Sequence, residues 1–195
     1  MQPTPVSEAA SIAYHATEGE AAFDFTFERD TELTGHMSLR LWVEARGNDD
    51  MDVFAVAQKI GRDGKHVDFR TYGVNWPAEP ARGFLRVSHR EMDPERSVPG
   101  QPWHTHRTEQ LLSAGDIVPI DIEFWPMGCI WRSGETIRVL VAGHPLLHVG
   151  NPVTGESLGS ARNKGEHVIW TGGRFDAQLL IPNTPTAAGS AQANQ

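Results

Sequence analysis

Residues 36–45 read HMSLRLWVEA, and residues 117–125 read IVPIDIEFW. In the first stretch Met37, Leu39, Leu41 and Val43 fall on one side of an extended chain, while Ser38, Arg40, Trp42 and Glu44 fall on the other. In the second, Val118, Ile120, Ile122 and Phe124 alternate with Pro119, Asp121, Glu123 and Trp125. A period of two is the pattern of a strand with one buried face. Pro119 lacks a backbone donor, so the second strand is expected at a sheet edge or beside a bulge.

The same grammar extends outward. AFDFTFE (22–28) alternates Phe23, Phe25 and Phe27 with polar residues. MDVFAVAQKI (51–60) is more continuously apolar, as a central strand would be, and GRDGK after it carries an Asp63-Gly64 turn signal. FLRVSHR (84–90), ETIRVLVAG (135–143), EHVIW (166–170) and DAQLLIP (176–182) complete about eight strands. Gly, Pro, Asn and Asp separate them, and no segment holds a helical period for more than two turns. The expectation is an all-β fold, a two-sheet antiparallel sandwich with Greek-key or jelly-roll connections. Phe25, Leu39, Leu41, Val43, Ile120, Ile122, Val139 and Val141 are expected to face a shared core. The longest connection, roughly 91–115, contains MDPERSVPGQPWHTHRTEQ. A loop of that length is usually functional or packed on something.

The 195 residues suit one domain. The polar, Pro- and Ala-rich ends suggest a flexible segment over 1–19 and a disordered tail over 183–195, around a sandwich spanning 20–182. A net charge of −8 argues against nucleic acid or an anionic membrane as the main partner. The lone Cys129 fits a reducing compartment, and MQPTPVSEAA has neither a basic nor an apolar leader region. Cytoplasm is the expected location.

Several motifs invite chemistry. GESLG (155–159) fits the G-x-S-x-G elbow of serine hydrolases. An elbow joins a strand to a helix over a parallel sheet. Here Asn-Pro, Thr-Gly and Asn-Lys-Gly surround it, so Ser157 reads as a loop residue, and no catalytic residue is assigned. His104 and His106 form H-x-H, with His89 or Glu109 as a third ligand to consider. Without a second ligand cluster, neither metal nor cofactor is expected. Asp49, Asp50 and Asp52 could attract calcium. Their spacing fits no EF-hand loop, and a solvated acidic hairpin tip is the expectation. Six tryptophans could stack on sugars. Trp42 and Trp125 instead share faces with charged residues, as aromatics under another domain would.

Read together, DTELTG (30–35), LRLWVEA (39–45), DDMDVFA (49–55), LRVSHREMDPERS (85–97), HTHR (104–107), GDIVPIDIEFWP (115–126), GETIRVLVAG (134–143), NKGEHVIWTGG (163–173) and LLIP (179–182) carry a resemblance. The chain resembles the C-terminal domain of the cocaine esterase (CocE/NonD) and Xaa-Pro dipeptidyl-peptidase family of serine hydrolases, over about residues 10–182. The resemblance implies a galactose-binding-like jelly roll. It also implies a partner, an α/β-hydrolase domain carrying the Ser, Asp and His of the triad, in the same chain or as a separate one. Self-association is a further partner class. Relatives tend to carry histidine where this chain has Trp170. The alternative function is a free-standing carbohydrate- or ligand-binding module. If a hydrolase domain docks here, the candidates are Ser88, His89 and Arg90 in SHRE, and Trp103, His104, His106 and Arg107 in WHTHR. Arginines pair bidentately with carboxylates, and tryptophan offers buried area. The competing expectation is that these residues pin the long loop onto their own sandwich.

Overall fold

The structure is a computed structural model that describes residues 6–70, 77–146 and 162–182. Among the described residues eleven strands run in order: β1 (Ala10–His15), β2 (Glu20–Thr26), β3 (Thr31–Arg46), β4 (Asp52–Ile60), β5 (Phe69–Arg70), β6 (Pro77–Ala78), β7 (Ala81–Arg86), β8 (Val118–Trp131), β9 (Thr136–Ala142), β10 (Glu166–Thr171) and β11 (Gln178–Leu180). Among the described residues there is no α-helix, only one 3-10 turn at Val87–His89.

The pairing explains the topology. β1 pairs with β10, β2 with β9, β3 with β8, β4 with β7 and β5 with β6, all antiparallel. The chain is thus a long hairpin folded about β5–β6 and wound into two layers, which is the jelly-roll connection. One layer runs β1-β10-β3, with β8 and β11 also on β3, and the other runs β2-β9-β4-β7. β3 is 16 residues long because it pairs with β8 along one side and with β10 and β11 along the other.

The predicted alternation puts its apolar side between the layers. Leu39, Leu41, Val43, Ile120, Ile122, Val139 and Val141 are all buried. In β8 the register shifts between Gly35 and Met37, so Trp125 and Pro126 together oppose His36. This bulge changes the parity of the strand. Inward residues are even-numbered up to Phe124 and odd-numbered from Met127, so Trp131 still reaches the core, fully buried. Pro119 lies in β8 where that strand forms an edge of its sheet.

Four expectations need correction. Residues 1–19 are not a flexible segment throughout: Ala10–His15 form β1, and Tyr14 and Ala16 are buried. An edge strand needs few inward side chains, so its apolar signal is weak. The tail over 183–195 lies outside the described residues. Phe25 is 52% exposed. It sits on the edge strand β2 and meets Phe27 edge-on at 5.2 Å rather than entering the core. The strand read through FLRVSHR stops at Arg86, where the 3-10 turn begins.

The fourth correction concerns the acidic tip, whose Asp50 and Asp52 are not solvated. Asp50 is 1% exposed and accepts three hydrogen bonds of 2.9 Å, from the backbone N–H groups of Met51 and Ser88 and from the Ser88 hydroxyl. Asp52 receives Arg86 through a two-pronged contact at 2.7 and 3.0 Å. Asp50 therefore fixes the start of the long connection between β7 and β8. Leu112 fixes its end: it is buried, and its N–H donates to the Asp49 carbonyl at 2.7 Å.

His167 is buried at 1% exposure beside Tyr14, with ring centroids 5.4 Å apart. Among the described residues, neither of its nitrogens has a hydrogen-bond partner. Burial pushes its pKa down from 6.5 to about 4, against a smaller opposing pull from Asp52.

Two outcomes follow from these buried groups. The unfolded chain takes up the His167 proton near pH 6.5, but the folded chain does not until about pH 4. This contribution to stability is therefore present above pH 6.5 and is lost as pH falls towards 4, by roughly 3 kcal/mol in all. Melting temperatures measured across that window should fall for the wild type and fall less steeply for His167→Phe. Parallel curves would show that His167 does not carry the effect. Asp50→Ala should cost about 3 kcal/mol by denaturant melt, because it leaves two buried Ser88 donors and one from Met51 unmatched. A loss below about 1 kcal/mol would mean that water replaces the carboxylate.

Candidate functional site

The SHRE residues face their own domain. Ser88 is fully buried on Asp50. Arg90 is half-buried, and its guanidinium donates to the carbonyls of Val87 and Gln110 at 3.1 and 2.5 Å. His89 lies 3.8 Å from Glu109. Next to it, the Thr105 hydroxyl donates to the Glu91 carboxylate. These contacts pin both limbs of the long loop to the sandwich.

WHTHR is divided. Trp103 is 49% exposed, and Arg96 lies over its ring at 4.3 Å. His106 adopts a positive φ of 50°, and both it and Arg107 are exposed. His104 is partly buried, and burial lowers its pKa, with His106 adding to the effect. The structure brings three histidine rings together: His106 lies 5.4 Å from His89 and 6.0 Å from His104, centroid to centroid. Among the described residues, His89 Nδ1 and His104 Nε2 are buried without a hydrogen-bond partner. Among the described residues, no set of three His, Cys, Asp or Glu side chains is placed to hold a metal ion.

The loop closes over the outer face of the β3 sheet through His36. The Gln101 amide lies 3.0 Å from the His36 ring, and the Glu123 carboxylate lies 3.2 Å from the ring's Nδ1. Between the loop and β3, β8 and β11 lies a shallow groove of about 180 Å³, lined by Arg40, Asp121, Met92, Val98 and Leu180 among others. Arg40 is tied to Asp121 at 3.0 Å and to Asp176 at 3.2 Å.

Most of the tryptophans are already engaged. Trp42 donates to Asp176 at 2.7 Å and Trp170 to Glu44 at 3.1 Å. Phe175 packs against both, with centroids 5.6 and 5.4 Å away. At the bulge, Arg82 covers Trp125 at 4.4 Å. Ser157 lies outside the described residues, as do Trp76 and His148. Among the described residues, the serine hydroxyls that donate, those of Ser88, Ser97 and Ser133, donate to oxygen rather than histidine.

Sequence reasoning singled out neither Phe54 nor Phe84, which pair across β4 and β7 on the outside of the second sheet. The signal was present in MDVFAVAQKI, whose apolar residues do not alternate and so clothe both faces of β4.

Comparison with known proteins follows from this architecture. Residues 6–180 match the family described as the X-Pro dipeptidyl-peptidase C-terminal non-catalytic domain. No curated protein matches. Among solved structures, a CocE/NonD family hydrolase from Staphylococcus aureus is 42% identical with a TM-score of 0.85. The match covers 92% of this chain and 33% of that one. An aminopeptidase from a marine sediment Thaumarchaeota archaeon has a TM-score of 0.60 at 10% identity, covering 92% of this chain and 34% of that one. An α-amino acid ester hydrolase has a TM-score of 0.52 at 10% identity, covering 84% and 25% respectively. The last two show a shared fold alone. The chain spans about a third of the length of the Staphylococcus aureus hydrolase. With the sandwich, its winding and nearly the whole chain matched, the protein belongs to the X-Pro dipeptidyl-peptidase C-terminal non-catalytic domain family.

Proposed function

We infer that this chain is the accessory β-sandwich of a serine hydrolase acting on ester or amide bonds, and that it supports an α/β-hydrolase domain in the same chain or in a separate one. One observation carries the reading: the family match covers residues 6–180, and the 42% identical hydrolase devotes only 33% of its chain to this region. The described residues agree with a supporting role. Of their buried polar groups, Asp50, Asp52, Ser88 and Asn163 bond to the domain's own backbone and side chains. Cytoplasm remains the proposed location. Among the described residues, no helix is long and apolar enough to cross a membrane.

A carbohydrate-binding module is the weaker alternative. Sugar recognition uses an open aromatic face, but Trp42 and Trp170 pack against Phe175, and the two half-exposed rings, Trp103 and Trp125, each carry an arginine on one face.

The purified chain should hydrolyse neither p-nitrophenyl acetate nor Xaa-Pro anilides above the buffer rate, because no recognisable sequence motif places a base or acid beside Ser157. Initial rates with and without Ser157→Ala check this. Turnover that disappears with the serine would make GESLG an active site and reverse the reading.

A further inference from the structure

The two outer faces of the sandwich differ. On the β3 sheet the aromatic and charged side chains are paired with one another, and the long loop lies across part of the face. The β2-β9-β4-β7 sheet is different. Its outward register partners are Phe54 with Phe84, Val56 with Leu140, and Leu140 with Ala22. These form one apolar patch across four strands. Phe84 is 64% exposed at its edge, and the Phe54 and Phe84 rings lie 6.3 Å apart.

β4 shows why this is unusual. Val53, Ala55 and Ala57 fill the core from one side of the strand, and Phe54 and Val56 clothe the other. A strand apolar on both sides is suited to a sheet covered on both sides. Phe54 and Leu140 are half-buried and Val56 is covered, so the exposed apolar area of this face lies chiefly at Phe84, and exposed apolar area on an outer sheet face marks an interaction surface.

The rim supplies the second argument. Arg86 and Arg138 are neutralised by Asp52 and Asp24. Arg82, the register partner of Val56, makes no ion pair among the described residues and lies over Trp125, itself 55% exposed. An apolar centre flanked by tryptophan and an arginine without a carboxylate has the composition of an interface hot spot. Its missing complement is an anionic group. A second copy of this chain fits poorly, because two molecules of net charge −8 repel.

We propose that the outer face of the β2-β9-β4-β7 sheet, centred on Phe54 and Phe84 with Arg82 at its rim, is the seat of the α/β-hydrolase domain. That domain presents an apolar surface and a carboxylate opposite Arg82. The inference rests on the accessory-domain reading and names the partner-facing side. It moves the docking surface away from SHRE and WHTHR.

The test replaces the matching third of the Staphylococcus aureus hydrolase with this chain and follows hydrolase activity during heating. Phe84→Glu and Arg82→Glu should each shorten the activity half-life of the chimera about tenfold, the scale of a hot-spot loss. Both should leave the isolated chain's melting temperature within about 2 °C, as outward surface changes do. Should Phe84→Glu unfold the isolated chain, Arg82→Glu carries the test alone. Trp103→Glu, on the long loop, should have no effect on the half-life. An inactive wild-type chimera would sink the accessory-domain reading and this proposal with it. An active chimera indifferent to both patch variants, or sensitive to Trp103→Glu instead, would overturn the docking face alone. An isolated chain that is dimeric, and that Phe84→Glu makes monomeric, would give the face to a second copy and also overturn it.

Discussion

The ladder between β3 and β8 is the constraint on which the rest of the molecule depends. It runs from Thr31 opposite Trp131 to Val43 opposite Val118, with one bulge. Side chains in a strand alternate, so a slip of one residue would turn Leu39, Leu41, Ile120 and Ile122 out of the core together. The bulge at Trp125 and Pro126 is what lets both halves of β8 keep their apolar residues inward. Residues 47 to 117 lie between β3 and β8 in the sequence, so they must leave the sheet and return. β4 and β7 form on that excursion, in the opposite layer. The two-layer architecture is therefore a consequence of this pairing and of the apolar content of the excursion.

The excursion also has to be held in place, and buried polar groups do this at the strand ends. Asp50 ties the entry to β4 to the turn after β7. Asn163 joins three strand ends. Its amide oxygen accepts from the Asp52 N–H at 2.7 Å, and its amide nitrogen donates to the carbonyls of Asp52 and Gly143. Groups such as these stabilise when matched and cost heavily when one partner is lost. They set the geometry where apolar packing, which is not directional, cannot. His167 and Tyr14 are the counterexample. Among the described residues they are buried without hydrogen-bond partners on the histidine nitrogens or the tyrosine hydroxyl, and burial raises the tyrosine pKa as it lowers the histidine one.

The fold was largely legible because period-two alternation reports directly on a half-buried sheet. HMSLRLWVEA and IVPIDIEFW fall within β3 and across β8, and the apolar face read from each is the buried one. β1 was not legible, because an edge strand with Tyr14 as its main inward anchor looks like a polar tail. Phe25 was misread because periodicity gives a face and not a depth: its neighbours on that face are covered, while the strand itself lies at an edge. The candidate site was harder. The motifs that drew attention, SHRE and DDMD, are conspicuous because polar groups that anchor loops have distinctive types and spacings. A docking patch made of Phe54, Val56, Phe84 and Leu140 consists of ordinary strand residues. Only the register of three neighbouring strands brings it together.

The edges of the two sheets explain why recognition falls to a face. An exposed edge strand offers unpaired backbone groups to any extended peptide. Here the edges at β7, β8, β1 and β2 are obstructed, and the remaining edge strand, β11, is three residues long. β7 runs so close to β8 that a Cβ on Gly83 would collide with the Glu123 carbonyl oxygen, which closes one side of the sandwich. Pro119 removes a donor from β8. On the opposite side the chain turns directly from β1 into β2 and carries one sheet edge into the other. A partner that cannot add a strand must bind side chains. The face it uses must then supply apolar area not already consumed by the core, and β4, apolar on both sides, is the strand that supplies it.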